Sequence, residues 1–292
     1  MPRLPRLHVP GSFYHVTLRG NHRENIFSTP DDRLKLNAIV AEAIEKYSAQ
    51  VHAFCWMTNH LHALIRIHEI RLGKIVQRIA MRYSRYRHKQ LRTTGHLFER
   101  RYGARLVDAD TYFIAALRYI HLNPVDARMV SSPDDYPWSS HHAYLGSVSI
   151  PWLTVEFGLS LLSRTFGGAR DAYRELVTGE MSRREHIDSG LLPSSDPRVV
   201  GTDRFLASLP PPRIKPRSPL TLEQLAAEVC THLGVSIEDV CAPNRLRQFT
   251  TARTLIARRA VDERIASLHQ VGRYLNRSVP ALCQLLQQNR RR

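Results

Sequence analysis

Two histidines separated by one residue, His60 and His62, stand in "FCWMTNHLHALIRI" (54–67), a run that otherwise reads as a buried strand. A strand reverses its side chains at each step, so both imidazoles face one side while Leu61 faces the other. Adjacent imidazoles on one face suit a metal ion. A half-exposed strand with two hydrogen-bonded histidines is the plainer reading, and the pair alone leaves both open. A second set lies on "ADTYFIAALRYIHLN" (109–123), where Tyr119 and Asn123 are four residues apart and share a helix face. Alone, such a tyrosine is ordinary packing at a helix end. Together the residues supply two imidazoles, an amide oxygen and a phenol. Those are the parts for metal-assisted attack by a tyrosine on a phosphodiester.

The elements that must position them alternate between strand and helix. "FYHVTLR" (13–19) reads as a strand, and residues 31–47 carry apolar side chains at helical spacing behind the acidic pair Asp31 and Asp32. "VHAFCWM" and "HLHALIRI" are two strands joined by a short turn at Thr58-Asn59. A basic helix over 72–91, a strand or hairpin within 96–108, and a helix over 109–123 stopped by Pro124 follow. The order β-α-β-β-α-β plus a helix predicts an α+β, ferredoxin-like domain with a four-stranded antiparallel sheet backed by two helices.

Residues 131–185 continue as helical or irregular structure and complete a first domain over 1–185. A linker over 186–219, rich in Pro, Ser and basic residues, then predicts a break. Residues 220–292 restart a helical pattern and form a small all-α domain. Its last part, "HQVGRYL", a turn at Asn276-Arg277 and "SVPALCQLL" behind Ser278, fits helix-turn-helix geometry.

Over 292 residues the chain carries 42 Lys and Arg against 26 Asp and Glu, a formal charge of +16, which favours a polyanionic partner. No apolar run approaches the roughly 20 residues that span a bilayer, so no membrane partner is expected. The opening "MPRLPRLHVPGSFYHV" is basic and proline-broken, unlike a secretory signal. The four cysteines form no CxxC pair, which argues against a zinc finger or a disulfide framework. A reducing cytoplasm, in association with the nucleoid, is the expected location.

The basic helix offers Arg78, Arg82, Arg85 and Arg87 around Tyr83 and Tyr86. Arginine interleaved with aromatics suits single strands and hairpins, although a solvated helix face has the same composition. Tyr102 is a further candidate for stacking. In the C-terminal domain Arg273 and Arg277 would meet duplex phosphates, with residues 278–287 as the recognition helix.

"TNHLHALI" resembles the histidine–hydrophobic–histidine motif of the single-tyrosine HUH transposases. "YHVTLRGNHRENIF", "GHLFERRYGARLV", "RYIHLNPVDARMV" and "DYPWSSHHAYLG" resemble, in the expected order, the REP-associated tyrosine transposase branch of that family. The resemblance covers about residues 8–185 and implies a ferredoxin-like HUH nuclease acting on REP-type palindromes. Carried onto this chain, the metal-binding histidine pair falls on His60 and His62, the nucleophile on Tyr119, and the third metal ligand on Asn123. Related enzymes place a glutamine at that last offset, and the amide oxygen is equivalent toward a hard divalent cation. Asp126 stands where a basic residue is usual after Asn-Pro-Val, so the DNA contact there is not carried over. Tyr112, two helical turns before Tyr119, is the rival nucleophile, but Ala116 occupies its fourth position. The C-terminal segment resembles the helix-turn-helix domain of bacterial replication initiators.

The expectation is therefore a Mg²⁺- or Mn²⁺-dependent single-stranded DNA endonuclease and strand transferase. It would act on hairpin-forming palindromes through a 5′-phosphotyrosine, with duplex DNA as a second partner of the C-terminal domain. The resemblance leans to a monomer and leaves a dimer open. The alternative is a non-catalytic DNA-binding regulator that kept the fold.

Overall fold

The computed structural model describes residues 6–99, 101–179, 194–210, 219–244 and 246–288. The chain divides into two units, Met1–Pro212 and Arg213–Arg292. No described helix is long and apolar enough to cross a membrane.

In the first unit β1 (Phe13–Arg19), α1 (Pro30–Tyr47), β2 (Gln50–Trp56), β3 (His60–Arg66), α2 (Leu72–Leu91), β4 (Gly103–Val107) and α3 (Ala109–Asp126) follow the expected order. Four antiparallel strands take the order β2-β3-β1-β4, so the two central strands are the first and third in sequence. This is the strand order that two split βαβ units produce. Alternation along the strands sorts two cores. Tyr14, Val16 and Leu18 of β1 with Leu61, Ala63 and Ile65 of β3 face α1 and α2. Phe13 of β1, Leu64 of β3 and Val107 of β4 face α3. The α3 side is completed by α4 (His141–Leu145), α5 (Glu156–Ser160) and α6 (Phe166–Thr178).

The sheet differs from the expected antiparallel four. A fifth strand, β5 (Val199–Val200), pairs in parallel with β4, making the sheet mixed. The Leu106 and Asp108 amides donate to the Arg198 and Val200 carbonyls at 2.8 and 2.9 Å. Both valines are fully buried, Val199 in the α1–α2 core and Val200 in the α3 core. A short α7 (Asp203–Ser208) follows. The expected linker over 186–219 is thus corrected for residues 194–210, which belong to the first unit. Residues 186–193 and 211–218 lie outside the described residues. Proline and serine around 193–198 suggest a spacer, yet two consecutive valines are enough to cover both sides of a sheet edge.

Helix α3 also runs past Pro124 to Asp126. Pro124 takes one amide, that facing the Ile120 carbonyl, out of the helix, while the Ala127, Arg128 and Met129 amides still donate to the Asn123, Val125 and Pro124 carbonyls at 3.0, 2.9 and 2.9 Å and close its last turn.

The second unit has α8 (Leu222–Leu233), α9 (Ile237–Cys241), α10 (Arg247–Asp262), α11 (Leu268–Tyr274) and α12 (Val279–Gln288) around Leu225, Val229, Phe249, Ile256, Val271, Leu275 and Leu282. Between α11 and α12, Asn276 takes a left-handed conformation at φ +52°. A Cβ on Gly272 would lie 2.7 Å from the Arg277 carbonyl, so the turn requires a glycine there.

Candidate active site

The antiparallel register decides which side chains meet His60 and His62. Thr17 of β1 lies opposite His62, Arg19 opposite His60, and His15 opposite Leu64. Cys55 of β2 is the other neighbour of His62. All share the α3 side of the sheet, and α3 lays Tyr119 across them. The Tyr119 ring stands edge-on to His62 at 5.7 Å and to His15 at 5.5 Å, and His60 meets His62 at 4.9 Å. His60, His62 and Tyr119, picked from separate stretches of sequence, therefore converge. Asn123 lies one turn farther along α3, its Nδ2 donating to the Tyr119 carbonyl at 2.6 Å. That bond commits the amide nitrogen to the helix and makes Oδ1 the atom suited to a cation.

Hydrogen bonds orient both imidazoles. The Asn59 Nδ2 donates to the Arg23 carbonyl at 3.0 Å, which turns its Oδ1 toward His60 Nδ1, 2.7 Å away. His60 Nδ1 must then donate, and its Nε2 carries the lone pair. His62 Nδ1 is 3.0 Å from His15 Nε2, while the buried His62 Nε2 has no hydrogen-bond partner. A buried imidazole nitrogen left unpartnered beside a second imidazole fits a metal ligand better than a structural histidine. Among the described residues no three His, Cys, Asp or Glu side chains form a metal-holding group. The donor set that fits a divalent ion is two imidazoles with an amide oxygen, which leaves room for phosphate oxygens.

Burial, reinforced by Arg19, pushes His60 down to about 4, and burial with the neighbouring His15, His60 and Arg19 holds His62 well below its ordinary value. Both are neutral at physiological pH, the state that binds metal. Burial raises the Tyr119 phenol; Arg105 and Arg19 pull it back and Asp126 adds to the rise. Tyr119 is a protonated phenol at neutral pH.

His15, Arg19 and Arg105 are site residues that motif reading missed. Arg19 and Arg105 are exposed, Arg19 opposite His60 and Arg105 opposite His15, so they set a cationic rim on the histidine side. The signal was their parity: 15, 17 and 19 on β1 share a face once β1 is paired with β3. Tyr112 packs against the α3 core, and among the described residues no ring contact joins it to a histidine.

The basic helix departs from expectation. Tyr83 is fully buried, its hydroxyl donating to the Ile26 carbonyl at 2.8 Å. Arg87 is 2% exposed and donates to Asp32 Oδ2 and Ser28 Oγ, both at 2.6 Å. Neither can touch DNA. Leu72, Ile75, Val76, Ile79, Tyr83 and Arg87 form one helical stripe, and the last two continue the core side under α1. Arg82 pairs with Glu42 of α1, while Arg78 and Tyr86 are half-buried, Tyr86 bonding to Asp32. Arg85 alone of the six is exposed. The helix covers the side of the sheet opposite the histidines. Tyr102 is half-buried under the Arg6 guanidinium, 3.7 Å from its ring centroid.

In the second unit Arg273 is exposed, but Arg277 is an internal strut. It donates to the Cys241 carbonyl at 3.1 Å and to that of Ala242, tying α12 back to the end of α9. Its expected role on phosphate is corrected accordingly, because two backbone carbonyls already occupy the guanidinium.

Comparison with known proteins adds to this geometry. A solved structure described as a REP-associated tyrosine transposase bound to a REP hairpin superposes with a TM-score of 0.45 at 16% identity, over 53% of this chain and 92% of that one. No protein of curated function matches the chain. Residues 8–123 match the family described as Transposase IS200 like. That segment carries β1 to β4, the His60–His62 pair, Tyr119 and Asn123, and over it the chain is similar to the IS200-like transposases.

Proposed function

We propose that the chain is a metal-dependent, single-tyrosine HUH endonuclease and strand transferase that acts on hairpin-forming REP-type palindromes in single-stranded DNA. The observation that carries this reading is the phenol of Tyr119 set edge-on to His62, whose buried Nε2 has no protein partner. His60 and His62 through Nε2, with Asn123 through Oδ1, would hold Mg²⁺ or Mn²⁺. When bound, that ion supplies charge neutralisation on the scissile phosphate and on the departing 3′ oxygen. The chain's own residues do the rest. Arg19 and Arg105 draw the phosphate to the sheet edge. Tyr119 forms its O–P bond in line as the P–O3′ bond breaks and remains joined to the 5′ phosphate; its phenol proton passes to solvent, and the departing oxygen takes one up to leave as a 3′ hydroxyl. The phosphotyrosine ester conserves the energy of the broken bond, so a 3′ hydroxyl can reseal DNA without ATP. In the same reading residues 220–292 bind duplex beside the hairpin through α11, its turn and α12, with Arg273 on phosphate. The chain would work in the cytoplasm on nucleoid DNA, as a monomer.

The test is a labelled stem-loop oligonucleotide, Mn²⁺ and a denaturing gel. Wild-type protein should give a covalent adduct that EDTA prevents. Tyr119→Phe, which removes only the attacking oxygen, should bind the hairpin normally and give at least about 1,000-fold less adduct. An adduct that survives Tyr119→Phe but not Tyr112→Phe would move the nucleophile. Hairpin binding with no adduct under any metal would leave the non-catalytic regulator.

A further inference from the structure

His15 of β1 belongs to neither the histidine pair nor the tyrosine helix, yet it touches both. It is 5% exposed and lies diagonally across the β1–β3 ladder from His62, within reach of an aromatic side chain. Its Nε2 is 3.0 Å from His62 Nδ1. The two rings are 9° from parallel with centroids 5.2 Å apart, so they lie end to end along the hydrogen bond and not face to face. His15 also stands edge-on to Tyr119.

One proton sits between the two nitrogens, and its owner decides what His62 can do. If His15 donates, His62 carries its proton on Nε2, a buried donor with nothing to accept it. If His62 donates, His15 Nε2 is the acceptor and the buried, unpartnered His62 Nε2 carries a lone pair. Only the second tautomer can bind a cation.

We infer that His15 is the positioning residue of this site: its Nε2 accepts the His62 Nδ1 proton, which presents the His62 Nε2 lone pair to the metal and fixes the ring against Tyr119. The inference rests on the proposed metal-dependent reading. A ligating imidazole commonly donates its other N–H to a carboxylate, carbonyl or water. Here a second imidazole, delivered by the neighbouring strand, takes that place.

Two substitutions separate this role from packing. His15→Phe keeps a ring beside Tyr119 and removes the acceptor. His15→Gln replaces the acceptor with an amide oxygen of similar reach. The first measurement is imidazole ¹H–¹⁵N correlation NMR on the metal-free, full-length protein. Wild type and His15→Gln should show His62 with its proton on Nδ1, and His15→Phe should show it on Nε2 or exchanging between the two. The second is Mn²⁺ affinity without DNA, from the EPR signal of free Mn²⁺. Affinity should fall about 10- to 100-fold in His15→Phe and stay within about threefold in His15→Gln. Thermal melting confirms that each variant is folded.

A wild-type His62 protonated on Nε2 would overturn the assignment. So would folded His15→Phe that binds Mn²⁺ as tightly as wild type, or folded His15→Gln that binds as weakly as His15→Phe. The two readouts separate the failures. The tautomer reports on His15 with no metal present, whereas wild-type protein that binds no Mn²⁺ overturns the metal reading itself.

Discussion

The two sides of the β2-β3-β1-β4 sheet solve the same burial problem in opposite ways. On the α1–α2 side the strands contribute Tyr14, Val16, Leu18, Leu61, Ala63 and Ile65, and the buried charges Asp32 and Arg87 are paired. Asp32 also accepts the Ser28 and Thr29 amides at 2.6 and 3.0 Å. On the α3 side, His15, His52 and His62 lie buried on the strands, and His62 and His52 leave ring nitrogens without hydrogen-bond partners. An unpartnered buried polar group costs on the order of 1–3 kcal/mol. On the α1–α2 side Arg87 Nε is also unpartnered, but its guanidinium is held by Asp32 and Ser28, whereas the unpartnered His62 nitrogen belongs to the candidate site. Buried polarity alone is not the mark, because His121 on the α3 side bonds to Ser140 Oγ at 2.6 Å and Tyr173 Oη at 2.7 Å. Such a fully partnered network anchors the helix that holds Tyr119.

The largest expected effect comes from the strand that serves both sides. Ending the chain after residue 190 removes β5 and with it Val199 from one core and Val200 from the other. We expect a loss of about 3–6 kcal/mol of stability from the two side chains alone. Ending it after residue 212 retains β5 and α7 and should leave folding intact and hairpin cleavage within about tenfold of wild type. Urea titrations of the two truncations make the comparison. Equal stability would show that β5 contributes nothing to either core.

The paired side is tested next by Asp32→Ala, which strands Arg87 in the core and removes an acceptor from the start of α1. Loss of one partner of a buried ion pair costs about 3–5 kcal/mol, and urea unfolding at pH 7 should show it. A loss below about 1 kcal/mol would mean that the pair is dispensable and that the contrast between the two sides is overstated.

The smallest effect is a difference in the pH at which each side weakens. Burial tends to raise the Asp32 carboxyl, but the Ser28 and Thr29 amides and the Arg87 charge outweigh it and hold the group below its usual value. A depressed carboxylate contributes stability above its unfolded pKa, near 4, and loses it as pH falls through the lower folded value. His52 behaves differently. It is 1% exposed among Phe13, Phe113 and Phe157, and burial with the Arg66 charge pushes it down to about 4, against a weaker pull from the Thr154 backbone. Between about pH 6.5 and 4 the unfolded chain therefore binds a proton that the folded chain refuses, and stability declines as pH falls through that window. His52→Leu should reduce the dependence of unfolding free energy on pH by about 1.4 kcal/mol per pH unit across that range. Identical slopes for wild type and variant at pH 5, 5.5 and 6 would remove His52 from the account.

Local pattern was enough for much of this. The order β-α-β-β-α-β-α follows from periodicity, because each element repeats its apolar positions with its own period. The common face of His60 and His62 follows from strand alternation, and that of Tyr119 and Asn123 from the helical repeat. What periodicity leaves undetermined is which side of an element is covered, and by what. Tyr83 and Arg87 read as a nucleic-acid surface because tyrosine and arginine are amphipathic, and only the packing of α2 against α1 put both inside. Arg277 read as a phosphate ligand until the fold supplied two carbonyls.

The same limit explains His15 and β5. His15 and His62 are 47 residues apart, and their hydrogen bond exists only in the register that pairs Thr17 with His62. A slip of one residue would turn every β1 side chain to the other face. Val199 and Val200 stand among prolines and serines that locally read as a spacer, and become a strand only because β4 offers an unpaired edge. The sequence by itself determined the elements and the residue types able to do chemistry, since both depend on spacing within one segment. The tertiary structure alone decided the hydrogen-bond partners, the buried faces and the completed sheet, since each is set by a contact between segments that no local spacing encodes.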